Sequence, residues 1–145
     1  MVRRILVCAS AILLLLSGCA TPPKPSQFEK TRTYALSKDV VWERLLGFFT
    51  ANSIQIKTIE KDSGVIYAER AMADGSMVDC GQPGLAIEVG RPGSLNVFVR
   101  SVGSSTEVTV NTQFTSLRQF DAQTFTTPCH STGALEKQIL DSIGE

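Results

Sequence analysis

From residue 31 onward the apolar positions follow two periods. Across 31–36, 54–60, 65–70, 85–89, 95–100 and 106–114 they recur at strand spacing, with one side of each segment apolar. Leu85, Ile87 and Val89 face one way, as do Leu95, Val97 and Val99, and Val108, Val110 and Phe114 mark the inward side of the longest strand. Across 38–51 the spacing changes to three and four: Val41, Leu45 and Phe48 with Trp42 and Phe49 form one helical stripe. Ser37 suits the N-cap, because its hydroxyl can accept from a free N–H of the first turn. Asp39 in that turn suits the positive end of the helix dipole. Leu135, Ile139 and Ile143, with Leu140 alongside, predict a last helix capped by Ser131 or Thr132. Turns are expected at 61–64, with Gly64 suited to positive φ, at 91–94 and at 103–105. Residues 71–84 read as a long loop. Residues 115–129, polar and rich in Thr, read as another loop with a helical turn near 117–122. The predicted order is β-α-β-β-β-β-β-α, an α+β fold. Its curved antiparallel sheet of about six strands has both helices packed on one face and the other face free.

The N-terminus follows a different pattern. Arg3 and Arg4 precede the apolar run 5–16, and Ser17 and Gly18 precede Cys19. A basic start, a short apolar run and a small-residue site are the layout of a secretory signal. The run is too short for a membrane span, which needs roughly 20 apolar residues. Leu16-Ser17-Gly18-Cys19 resembles a bacterial lipobox, which makes residues 1–18 a lipoprotein signal peptide and Cys19 the lipidated N-terminus. The resemblance implies several acyl chains, each contributing about 0.8 kcal/mol per buried methylene. With Ala20 rather than Asp after the cysteine, it also implies sorting to the outer membrane, with the domain in the periplasm. Residues 19–30 contain Pro22, Pro23 and Pro25 and few apolar groups, so they read as an extended tether. Residues 31–145 form a single globular domain, within the usual size range.

Charge narrows the partners. Of fourteen basic residues, Arg3 and Arg4 fall in the signal, leaving twelve against fourteen acidic ones, scattered singly. Without a basic patch, nucleic acid is not an expected partner. Cys8 lies in the signal, which leaves Cys80 and Cys129 besides the lipidation site. An oxidising compartment makes a disulfide their expected state. The competing reading is a reactive thiol at Cys129 beside His130, but neighbours on an extended chain point apart.

The stretch VVWERLLGFFTANSIQIKTIEKDSGVIYAER, residues 40–70, places Trp42 early in a helix, then a strand, a turn with Gly64 and a second strand. It resembles the helix-strand-strand unit of small envelope lipoprotein domains, notably the BamC-like domains of the outer-membrane β-barrel assembly machinery. The resemblance implies a helix-grip fold and the envelope compartment. The chain departs from that family in having one domain and in its Cys80/Cys129 pair.

Chemistry is sparse. One His and no clustered Cys or carboxylates leave no metal site, and no nucleophile elbow, phosphate loop or dinucleotide fingerprint is present, so neither metal nor cofactor is expected. Asp74 and Asp79 flank the 71–84 loop, as surface carboxylates or as an acid–base pair. Met72 and Met77 in that loop suit adaptable contact with a partner, or packing over their own core. The expected function is non-enzymatic: an outer-membrane lipoprotein serving as an interaction module in envelope assembly or maintenance, with the free sheet face or the 71–84 loop as contact surface. The alternative is a binder of a small apolar molecule held between sheet and helices.

Overall fold

A computed structural model of the chain describes residues 20–144, so the segment 1–18 read as a signal peptide, and Cys19, lie outside the described residues. The elements are β1 (Thr31–Tyr34), α1 (Lys38–Ala51), β2 (Gln55–Glu60), β3 (Val65–Arg70), β4 (Val78–Asp79), β5 (Ile87–Gly90), β6 (Gly93–Val102), β7 (Ser105–Phe120), β8 (Gln123–Ser131) and α2 (Ala134–Gly144). The fold is α+β: an antiparallel sheet with two helices on one face.

β7 is the spine of the sheet. Along its first half it pairs with β6 on one side and β1 on the other, and along its second half with β5 and β8. β3 and then β2 extend the sheet beyond β6, while the two-residue β4 pairs with the end of β8. Leu95, Val97, Val99, Val108 and Val110 point to the helices, as do Ile66 and Ala68 of β3. There they meet Val41, Trp42, Leu45 and Phe49 of α1 and Leu135, Ile139, Leu140 and Ile143 of α2. Most of these side chains have no exposed surface, so the space between helices and sheet is filled by the protein's own groups. Ser37 caps α1 as its sequence position suggests, accepting from the Val40 N–H. Phe48, counted in the apolar stripe, is only half-buried at its edge.

Three segments differ from the sequence expectation. Residues 115–129 form no helical turn: they complete β7 and make β8, joined at Asp121–Ala122, and with β4 they raise the strand number from about six to eight. The apolar alternation is hidden there because the inward positions of β7 are Ser116 and Arg118, polar groups paired with one another. Second, residues 91–94 do not reverse the chain. β5 and β6 run in one direction along β7, in the same register on either side of Arg91–Pro92. Pro92 lacks an N–H and interrupts the ladder, yet its carbonyl still accepts from the Thr115 N–H. Third, the proline-rich segment is extended but does not stand clear of the domain. The Thr21 carbonyl accepts from the Gln82 N–H at 3.0 Å, Lys24 donates its N–H to Asp79, and Phe28 lies against Gly133.

Candidate functional site

The end of the sheet beyond the helices is held by a polar cluster and a disulfide. Cys80 and Cys129 are bonded, which ties the 71–84 segment to β8. Arg118, buried on β7, donates to the Cys80 carbonyl and, at 3.2 Å, to the Ser116 hydroxyl. Ser116 in turn donates to Glu88 of β5 at 2.7 Å, and Glu88 pairs with Arg91. Among the described residues no fully buried side-chain nitrogen or oxygen lacks a partner, which makes a buried guanidinium tolerable. From the other side Thr132 donates its N–H to the Met77 carbonyl and its hydroxyl to the Ser76 carbonyl.

That packing separates the residues singled out in the 71–84 loop. Met77 is buried in the core, whereas Met72 is exposed, so the two do not form one contact patch. Asp74 accepts from the Ser76 N–H and Asp79 from the N–H groups of Gly81 and Lys24, each closing a local turn or tie. These donors hold both carboxyls below their ordinary range, the opposite of what a general acid requires. His130 is exposed on β8 opposite Asp79. Glu136, in the first turn of α2, is fully buried and accepts from the hydroxyls of Thr112 and Ser131. It lines a recess of about 290 Å³ with Lys30, Ser131 and His130. Because Ser131 and His130 alternate along β8, the imidazole projects from the strand face opposite to Ser131. Among the described residues no group of three or more His, Cys, Asp or Glu is placed to hold a metal.

Two surfaces remain uncovered. The first is the sheet face opposite the helices, where Asn96, Phe98 and Arg100 of β6 lie beside Asn111, Thr109 and Glu107 of β7. Arg100 and Glu107 form an ion pair across the strands, and the exposed Phe98 lies between Thr109 of β7 and Val65 of β3, with Tyr67 on the same face. Two open grooves flank this face. One of about 590 Å³ is lined by Gln55, Glu69, Ser94 and Gln113, and one of about 540 Å³ by Lys38, Phe98, Arg100 and Thr109.

The second is the far end of the sheet. Leu85, Ile87 and Val89, whose alternation suggested an inward apolar side, are instead exposed, Leu85 at 87% and Ile87 at 68%. Ile87 lies opposite Gln119, and the neighbouring Phe120 and the diagonal Phe125 are exposed on the face shared with Arg118. No helix reaches this part of the sheet. The alternation marks the strand, but the register sets Ile87 beside Gln119 on the face turned away from the helices, with Glu88 inward beside Arg118, so the apolar side does not meet the core.

Comparison of the chain with family models and with curated proteins gave no match. No helix among the described residues is long and apolar enough to cross a membrane. What the described surfaces offer is contact: a broad, mostly polar sheet face that carries Phe98 and Tyr67, and a smaller apolar end.

Proposed function

We propose that this protein is an outer-membrane-anchored, periplasm-facing lipoprotein that acts as a non-enzymatic interaction module in envelope assembly or maintenance. The anchor is the acylated Cys19, and the lipobox pattern of residues 16–19 supports it. The module is the α+β domain, and the observation that carries this reading is the uncovered sheet face around Phe98. There the exposed Phe98, with Val65 and Tyr67 of β3 on the same face, sits among polar side chains and the Arg100–Glu107 and Lys57–Glu69 ion pairs, the mixture of adaptable polar groups and aromatic anchors that protein contacts use. The filled space between helices and sheet favours this over a small apolar ligand held in the core. The resemblance of residues 40–70 to BamC-like domains supports the same compartment and class of role.

Photo-crosslinking in cells tests it. A crosslinking side chain at Phe98 of the full-length protein is expected to capture a specific envelope protein, and one at Glu43, exposed on α1, is not. Absence of any specific adduct from Phe98, in cells where the protein is membrane-bound, would remove the sheet face as the contact surface.

A further inference from the structure

The exposed apolar end of the sheet and the start of the described chain lie at the same place. Gln82 donates its N–H to the Thr21 carbonyl, Asp79 accepts from the Lys24 N–H, and a Cβ built on Gly84 would lie 3.4 Å from the Ala20 Cβ. A Cβ on Gly81 would strike the Thr21 carbonyl oxygen at 2.0 Å, so the close passage of residues 21–23 over this loop requires a glycine there. The loop that receives the segment is itself held by the Cys80–Cys129 bond and by Arg118. Ala20 is therefore fixed beside Gly84, the residue before Leu85. Any group carried by Cys19 begins one peptide bond, about 3.8 Å between Cα atoms, from that point.

We propose that the end of the domain formed by Leu85, Ile87, Val89, Phe120 and Phe125 is a lipid-contacting surface, which seats the domain directly on the bilayer that holds its acyl chains. The inference rests on the acylation of Cys19 proposed above. Two further observations favour a bilayer over a protein as the occupant. The apolar side chains occupy both faces of the same sheet end, with Ile87 on one and Phe120 and Phe125 on the other. A protein partner covers one face, whereas a membrane interface surrounds an inserted edge. The only carboxylate in β5, Glu88, is turned to Arg91 and Ser116, and Gln119, Gln123 and Thr124 are uncharged, so the one exposed carboxylate at this end is Asp121 at the β7–β8 turn, which has to stay among the hydrated headgroups.

The same geometry limits the depth. Residues 87–90 of β5 and 123–129 of β8 pair only with β7, which leaves an outer row of backbone groups that need water. Such an edge is excluded from the hydrocarbon core. The apolar tips therefore reach the headgroup–acyl boundary and go no further, the depth of interfacial elements. A few exposed side chains bind lipid weakly alone, but the attached acyl chains hold them at the surface at high effective concentration, and weak partitioning is then sufficient.

Quenching by brominated lipid tests the surface. Leu85→Trp and Phe98→Trp variants of the mature acylated protein are reconstituted in vesicles whose phospholipid carries bromine on the acyl chains. Both sites are exposed, and the buried native Trp42 adds the same background to each. Residue 98 faces Thr109, so it lies roughly 33 Å along β7 from the apolar end at about 3.3 Å per residue. Quenching at residue 85 is expected to exceed that at residue 98 by roughly twofold or more, and an added Ile87→Asp substitution is expected to abolish the excess. Equal quenching at the two sites, in protein whose intact mass includes the acyl chains, would overturn the lipid-contacting surface and leave the anchor in place. A mature mass without acyl chains would overturn both.

Discussion

Glu136 is fully buried in the first turn of α2, yet both its carboxylate oxygens are satisfied, one by the Thr112 hydroxyl and one by the Ser131 hydroxyl. It links the helix to β7 and to the end of β8, at the negative-favouring end of the helix dipole. Removing it leaves two part-buried hydroxyls without their acceptor and opens a void, so Glu136→Ala is expected to lower unfolding stability by roughly 2–4 kcal/mol. Glu136→Gln keeps the volume and an acceptor and is expected to lose less than half of that. Urea unfolding of both variants measures the difference. This role had a signal in the sequence. Glu136 stands four residues before Leu140 and shares its face, so the apolar stripe of α2 passes through a carboxylate.

The β7–β8 hairpin projects past the helices, and the disulfide compensates for the core it lacks. β8 has few apolar side chains, and those at its outer end are exposed. Its attachment to the 71–84 segment comes from the short β4–β8 pairing, from Cys80–Cys129, from Arg118 of β7 and from the two bonds that Thr132 makes just after β8. The bond spans 49 residues, for which the chain-entropy account gives roughly 4 kcal/mol. Reduction, or Cys80→Ala with Cys129→Ala, is expected to lower stability by about that amount in urea. It is also expected to release the Thr132 amide to hydrogen exchange while the amides of β6 and the first half of β7 stay protected. Simultaneous loss of protection throughout would show that the hairpin end and the helix-covered sheet unfold as one unit.

For the molecule as a whole, the orientation of the domain relative to the proposed anchor at Cys19 depends on how residues 20–24 are held. Asp79 is central. The N–H of Gly81 and then that of Lys24 stabilise its charged form and hold its carboxyl below the ordinary 3.8. A carboxyl lowered in the folded state contributes stability that is complete above its unfolded value and is lost as pH falls through the folded one. The tie is therefore expected to be intact at neutral pH and to open only below about pH 4, without global unfolding. The amide proton shifts of Lys24 and Gly81, followed together through an acid titration, measure it. A Lys24 amide already at its unstructured shift at neutral pH would refute the tie.

The two helices, most of the strands and the turn at Gly64 were legible along the chain, because amphipathic period, caps and glycine act over a few residues. α1 begins and ends where its apolar spacing does, and Gly64 has the positive φ that its turn suggests. That only glycine fits there also depends on the Val99 carbonyl, 2.0 Å from where a Cβ would stand, a contact 35 residues away. The α+β class followed from the order of these elements. What only the tertiary structure decided is where burial stops. Ser116 and Arg118 look like loop residues until the groups that satisfy them are brought together, and Arg91–Pro92 looks like a reversal until β7 is present to hold both sides in register. Leu85, Ile87 and Val89 alternate like core residues, but Ile87 pairs with Gln119 on the sheet face turned away from the helices, so their apolar side does not join the core. A local pattern specifies that one side of a strand is apolar. Whether that side meets a helix, water or a bilayer depends on elements distant in sequence, and here it leaves the apolar end beside Ala20, the residue after the proposed anchor.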